Sequence, residues 1–101
     1  MKLTERQADI FSQTVERWGR DSQILLALEE MSELSVELLK NLRGRDNVDK
    51  IAEELADVYV VLEQARRIYD IKNDAIQKIA DSKIDRLEQR LKDGYEMTRR
   101  A

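Results

Sequence analysis

Apolar residues recur every three or four positions along most of this 101-residue chain, and no proline interrupts the pattern. In an α-helix such positions are neighbours on one face, so the spacing predicts amphipathic helices. Glycines divide the chain at positions 19, 44 and 94. We therefore predict an all-α fold of four helices in a single domain. The predicted helices cover residues 4–18, 22–43, 47–69 and 74–93, the tail covers 95–101, and the domain covers 1–101.

Local signals define the predicted helix ends. Thr4 and Gln7 have the spacing of a capping box, in which each side chain accepts a hydrogen bond from the other residue's backbone N–H. Gly19 and Gly44 follow the apolar patterns of the first two helices, where glycine commonly ends a helix. Because short connections make neighbouring helices antiparallel, we expect a four-helix antiparallel bundle.

The second predicted helix is apolar on more than one side. A chain of this size has little surface with which to cover both sides, so we expect a second copy to cover one of them. Homo-oligomerisation, to a dimer or a tetramer, would then complete the bundle. The stripe expected to be buried contains Ile24, Leu28, Met31, Leu34, Leu38 and Leu42, and the further side adds Leu25, Val36 and Leu39. The third helix has a stripe of Ile51, Leu55, Val58, Leu62 and Tyr69, widened by Val61 and Ile68, and the fourth has Ile76, Ile79, Ala80, Leu87 and Leu91.

Composition excludes several classes of site. The chain has no cysteine and no histidine, which removes disulfides, thiolate zinc sites, a cysteine nucleophile and an imidazole base. A formal net charge of −3 argues against a general binder of duplex DNA, which usually carries a basic face. The longest apolar run, residues 24–28, is too short to cross a membrane. We expect a cytoplasmic protein that binds neither nucleic acid nor membranes.

Four acidic residues break the amphipathic pattern. Glu30 and Glu33 form a Glu-x-x-Glu pair on the second helix, with Glu30 at the border of the apolar stripe. Glu54 and Asp57 form a Glu-x-x-Asp pair on the third helix, with Glu54 inside the apolar arc and Asp57 at its edge. Two consecutive antiparallel helices therefore each carry an acidic pair at or near their buried seam.

Two interpretations of these pairs remain open on this pattern. In the first, the acids are solvated, and Lys40, Lys50 or an arginine neutralises any that are partly buried. In the second, they hold a cation, because two like charges ~4 Å apart repel by about 4 kcal/mol at an effective dielectric constant of 20. An all-oxygen site without histidine or cysteine favours Mg²⁺, with Mn²⁺ as a substitute.

The fourth helix offers basic residues that suit a phosphate ligand. Lys83 falls within its apolar stripe, Arg86 lies three residues further on, and Arg90 follows. Each either extends along the apolar surface to water or reaches phosphate oxygens. Trp18 has two interpretations as well, as an anchor of the core or as a platform on which a base stacks.

The order of these motifs resembles the MazG family of nucleoside triphosphate pyrophosphohydrolases, in the all-α NTP pyrophosphatase superfamily. The resemblance covers about residues 4–90. Its motifs start with Trp18-Gly19, and twenty residues separate the two acidic pairs. Each half-motif alone is weak, whereas the ordered set is fairly specific. The matching segments are Leu28-Glu29-Glu30-Met31-Ser32-Glu33-Leu34 and Glu53-Glu54-Leu55-Ala56-Asp57-Val58.

The resemblance implies Mg²⁺-dependent hydrolysis of a nucleoside triphosphate, ribo or deoxy, to the monophosphate and pyrophosphate, in nucleotide-pool house-cleaning. By carry-over, the catalytic metal ligands are Glu30, Glu33, Glu54 and Asp57. Substrate-binding candidates are Lys83, Arg86, Arg90 and Trp18, while Glu29, Glu37 and Glu53 are candidate helpers near the ligands.

Other functions compete with this interpretation. One is a non-catalytic helical homo-oligomer that serves as an interaction protein, with acids that are surface charge. Within the superfamily, phosphoribosyl-ATP pyrophosphohydrolase and dimeric dUTPase are relatives with other substrates. A helical nucleic-acid-binding module is a further alternative, which the acidic net charge weakens.

Overall fold

The structure is a computed structural model that describes residues 2–94 and 96. Within them the chain forms four α-helices and no strands, which confirms the predicted all-α fold. None of the described helices is long and apolar enough to cross a membrane. Of the predicted tail, residues 95 and 97–101 lie outside the described part. The helices are α1 (Glu5–Trp18), α2 (Arg20–Leu42), α3 (Val48–Ile68) and α4 (Asn73–Lys92).

Local chemistry sets the ends of α1. The capping box is present: the Gln7 backbone N–H donates to Thr4 Oγ1 at 3.1 Å, and the Thr4 backbone N–H donates to Gln7 Oε1 at 3.0 Å. At the other end Gly19 has φ 90, a left-handed value that glycine adopts without steric cost. Because the chain changes direction within this one residue, α2 begins at Arg20, earlier than the predicted 22.

The chain divides into two compact units, residues 1–70 and residues 71–101. In the first unit α2 packs against α3, and α1 packs against α2. The second unit contains α4, whose apolar residues Ile76, Ile79 and Leu87 are exposed. The predicted organisation as a single domain stays a prediction.

The turn between α2 and α3 is held by side-chain amides. The Asn47 Nδ2 group donates to the Glu37 backbone carbonyl at 2.9 Å, across a separation of ten residues. Asn41 Nδ2 donates to Asn47 Oδ1 at 3.2 Å, and Gly44 supplies the positive φ that the turn requires. This clasp of Asn47 on Glu37 fixes where α3 starts relative to the last turns of α2.

The apolar core of the described chain is small. Its buried apolar side chains are Ala27, Val58 and Val61. Most members of the predicted apolar stripes are therefore left uncovered within one chain, and their burial in an oligomer stays a prediction. Many of the longer apolar side chains of α2 and α3 are exposed. Exposed members of the predicted surfaces of α2 and α3 are Leu25, Leu28, Met31, Val36, Leu38, Leu39, Leu42, Leu55, Leu62 and Tyr69.

Gln64 ties α1 to α3. Its side chain is 4% exposed, and its Nε2 group donates to the Phe11 backbone carbonyl at 3.0 Å and to Thr14 Oγ1. A buried amide that makes hydrogen bonds of this kind stabilises the packing of α1 on α3.

We therefore expect Gln64→Ala to lower the free energy of unfolding by about 2 kcal/mol, because it removes two hydrogen bonds between α1 and α3 together with the packing of a buried side chain. The measurement is urea unfolding followed by circular dichroism. Gln13→Ala makes the same chemical change at an exposed position of α1 and should shift stability by less than about 0.5 kcal/mol. Equal effects of the two substitutions would contradict the role given to Gln64.

Candidate metal centre

Packing of α2 on α3 brings the two acidic pairs to the same place. Near the turn, Glu37 of α2 contacts Asn47, and further from the turn Glu30 and Glu33 lie beside Glu54. With increasing distance from the turn, earlier residues of α2 lie beside later residues of α3, so the two helices run antiparallel. The twenty residues between Glu33 and Glu54 span the turn and place both acids at the same level of the helix pair.

Three of the four predicted ligands form a compact group. One carboxylate oxygen from each of Glu30, Glu33 and Glu54 lies within 4.8 Å of the others. The three residues differ in burial: Glu54 is 5% exposed, Glu30 is half-buried and Glu33 is exposed. The group therefore has a buried end at α3 and opens towards solvent at α2. We call these three residues the acidic group.

Two buried oxygens of the acidic group lack a hydrogen-bond partner among the described residues. They are Glu30 Oε2 and Glu54 Oε2. A buried carboxylate oxygen without a donor loses hydration and gains nothing in return, which is costly. Carboxylate oxygens without a hydrogen-bond partner are suitable ligand atoms for a hard divalent cation. The residues present therefore fit a magnesium ion.

Electrostatic repulsion acts on Glu30. Burial raises the pKa of the Glu30 carboxyl above its ordinary value, and the negative charges of Glu33 and Asp57 raise it further. Each of these influences disfavours the charged form. Ionisation of Glu30 is therefore disfavoured by its burial and by its acidic neighbours.

Lys50 compensates part of this charge. Its Nζ atom lies 3.5 Å from Glu54 Oε1 and 3.5 Å from Glu53 Oε2. These two carboxylates raise the pKa of the Lys50 ammonium. The contact satisfies one oxygen of Glu54 and leaves Oε2 without a partner. Lys40, the other lysine considered as a neutralising residue, pairs instead with Glu37 Oε2 at 3.1 Å.

Asp57, the fourth predicted ligand, lies near the acidic group but outside it. Its side chain is exposed on α3, and its charge reaches Glu30, where it raises the pKa. The Asp57 carboxylate is therefore placed to influence the group electrostatically. Its role as a ligand stays a prediction.

Two other buried acids, Glu37 and Glu63, were not predicted to be buried. Glu37 contacts Lys40 and accepts from Asn47 Nδ2 at 3.4 Å, and Glu63 pairs with Arg66. These partners lower the pKa of both carboxyls despite burial. A basic residue three positions after each acid is the signal that could have identified them. Both acids are satisfied within the protein, unlike Glu54.

Trp18 is not a core anchor within one chain. Its side chain is 61% exposed at the end of α1. It lines a cleft of about 740 Å³ with residues that include Leu25, Leu26 and Glu29. Glu29 precedes Glu30 in α2, so the cleft and the acidic group lie on adjoining parts of that helix. An exposed indole beside leucines provides an apolar surface on which a flat ring can stack.

The basic candidates lie on α4, in the second unit. Lys83, Arg86 and Arg90 occupy exposed positions three and four residues apart, which places them on one face of the helix. The structure thus supports their grouping with one another. Their approach to the acidic group stays a prediction.

The raised pKa of Glu30 predicts a stability effect. The folded protein holds this proton more tightly than the unfolded chain does, so ionisation of Glu30 destabilises the fold as pH rises above 4.5. In the absence of divalent cations, we expect Glu30→Gln to raise the melting temperature near neutral pH. The difference from wild type should shrink as pH falls below the ordinary carboxyl value of 4.5.

Differential scanning calorimetry across that pH range measures the effect. Glu29→Gln is the matched control, because it removes an exposed acid from the adjacent position of α2. A lower melting temperature for Glu30→Gln than for Glu29→Gln at neutral pH would show that Glu30 is stabilised by its surroundings, contrary to this assignment.

Comparisons of the chain with models of protein families, with curated proteins and with solved structures found no match. The MazG resemblance therefore stays a prediction, carried by the ordered motifs of α2 and α3.

Proposed function

We propose that this protein is a Mg²⁺-dependent nucleoside triphosphate pyrophosphohydrolase, which converts a ribo- or deoxyribonucleoside triphosphate to the monophosphate and pyrophosphate. The observation that carries the proposal is the buried Glu54 oxygen that has no partner among the described residues and lies beside two further carboxylates. The resemblance of the flanking motifs to MazG supplies the reaction. Nucleotide-pool house-cleaning is the proposed role.

The proposed ligands are the acidic group together with Asp57. Glu54 and Glu30 contribute buried oxygens, and Glu33 contributes an exposed carboxylate at the mouth of the group. Bound Mg²⁺, or Mn²⁺ in its place, supplies charge neutralisation for the triphosphate and increases the acidity of water. Its affinity for carboxylate, phosphate and water oxygens matches a set of donors that contains no nitrogen or sulfur.

The chain's own residues orient the substrate and move the proton. Water attacks the α-phosphorus, the bond from this phosphorus to the oxygen that bridges to the β-phosphorus breaks, and pyrophosphate leaves. Without histidine, a carboxylate is the side chain available to accept the proton of water. Glu37 is a poor base, since Lys40 and Asn47 hold its carboxylate ionised and occupied. Glu29 lines the Trp18 cleft and is better placed.

Binding of the remaining parts of the substrate is proposed from their chemistry. The exposed Trp18 ring and its leucine neighbours suit the base, which has a flat apolar face. The basic face of α4, with Lys83, Arg86 and Arg90, suits the phosphates.

The proposed assembly is a homo-oligomer, a dimer or a tetramer, in which the antiparallel four-helix bundle is completed. Support comes from the small core of the described chain and from the long apolar side chains that α2 and α3 leave exposed. Exposed apolar surface of this extent usually marks an interface. The same observation also favours the second candidate function, a non-catalytic helical interaction protein, which differs by having no metal-dependent activity.

We expect Glu54→Gln to reduce pyrophosphate release by about 100-fold or more, because a ligand charge worth several kcal/mol in the transition state is lost. The assay measures pyrophosphate and monophosphate from each common nucleoside triphosphate in the presence of Mg²⁺. Glu16→Gln, at an exposed position of α1, is the control and should retain activity. If the wild-type protein releases no pyrophosphate from any nucleoside triphosphate, the result would favour the second candidate function, a non-catalytic interaction protein.

Light scattering coupled to size-exclusion chromatography tests the assembly. We expect a mass of at least two 11.9 kDa chains, because a second copy would bury the exposed leucines of α2. A species of single-chain mass at micromolar concentration would contradict the proposed oligomer.

A further inference from the structure

Lys50 lies between a proposed metal ligand and the solvent. It belongs to the first turn of α3, so Glu53 and Glu54 follow it three and four residues later on the same side of the helix. Its Nζ atom is 3.5 Å from an oxygen of each acid. The side chain of Glu54 is 6% exposed, that of Glu53 is 71% exposed, and that of Lys50 is 53% exposed. One ammonium thus bridges a buried acid and a solvated acid.

The same lysine lines a cleft of about 420 Å³ beside the acidic group. The other described residues that line the cleft are Ser32, Glu33, Val36, Glu37 and Glu54. Lys50 is the basic member of this lining, within the unit that contains the acids. An anion that approaches Glu33 and Glu54 through the cleft therefore meets the Lys50 ammonium.

A divalent cation bound at Glu54 changes the electrostatic environment of the Lys50 ammonium. In the metal-free protein the ammonium offsets the charge of Glu54, but a dication on Glu54 takes over that role and repels the ammonium. The long, half-exposed side chain can then turn from Glu54 into the cleft while it remains close to Glu53. An ammonium carries three donors and suits phosphate oxygens as a point charge.

We propose that Lys50 exchanges partners during the reaction cycle, pairing with Glu54 in the metal-free protein and with a phosphate oxygen of the triphosphate once a divalent cation is bound. This inference rests on the proposed function. It assigns a phosphate contact to the unit that holds the acids. No bond is made or broken by Lys50, which acts through charge and hydrogen bonding.

The exchange predicts effects of opposite sign on two ligands. Lys50→Met keeps the length of the side chain and removes its charge. It should tighten Mg²⁺ binding about threefold, because a competing cation is removed from Glu54. It should weaken the binding of inorganic tripolyphosphate, measured with Mg²⁺ present, about tenfold, because a charge-assisted hydrogen bond is lost.

Isothermal titration calorimetry with Mg²⁺ alone and then with tripolyphosphate measures both affinities on the full chain. Lys50→Arg should restore tripolyphosphate binding to within about threefold of wild type, since the positive charge returns. Lys78→Met, the same change at an exposed position of α4, should alter neither affinity. Circular dichroism of each variant establishes that it is folded before titration.

The outcomes separate this inference from the proposed function. Unchanged affinities in Lys50→Met, with wild-type protein that binds Mg²⁺ and releases pyrophosphate, would overturn the role of Lys50 and leave the proposed function standing. Weaker Mg²⁺ binding by Lys50→Met would also overturn it, because Lys50 would then support the metal rather than compete with it. Wild-type protein that binds no divalent cation would overturn both.

Discussion

The contact of α2 with α3 forces carboxylates of like charge together, and the functional proposals for this molecule depend on that contact. The buried apolar side chains of these helices are Ala27, Val58 and Val61, and the acidic group is formed by residues of the same two helices. Glu54 reaches the interior with one oxygen paired to Lys50 and the other without a partner among the described residues. Packing of the two helices thus offsets a repulsion among carboxylates that a bound cation would remove.

The same helix pair contains buried acids of two kinds, and the sequence distinguishes them. Glu37 and Glu63 each precede a basic residue by three positions, and each is held as a carboxylate with a lowered pKa. Glu30 and Glu54 each precede another acid by three positions, and each leaves a buried oxygen without a partner in the described chain. Residues three apart are neighbours on a helix, so the residue three positions after each acid indicates whether that neighbour adds a counter-charge or a further repulsion.

Features set by neighbouring residues were predictable, and features set by distant surfaces were not. The capping box at Thr4 and the glycine stops at 19 and 44 depend on a few adjacent residues, so they located the helix ends to within two residues. Grouping of the acids followed from helical spacing and an antiparallel turn. Burial of the apolar stripes depends on what covers each face, and periodicity carries no information about that. Leucines expected to be buried are consequently exposed in one chain.

The clasp of Asn47 on Glu37 has a consequence for how the length of this protein can vary in evolution. The hydrogen bond from Asn47 to the Glu37 carbonyl fixes the start of α3 against α2. Residues 43–46 belong to the turn and do not affect which residues of α2 and α3 lie opposite each other. Insertions or deletions there can change the turn and leave the acids in place. One residue inserted between Asn47 and Glu54 would rotate Glu54 by about 100° around α3, away from Glu30. Tolerance of indels should therefore stop sharply at Asn47.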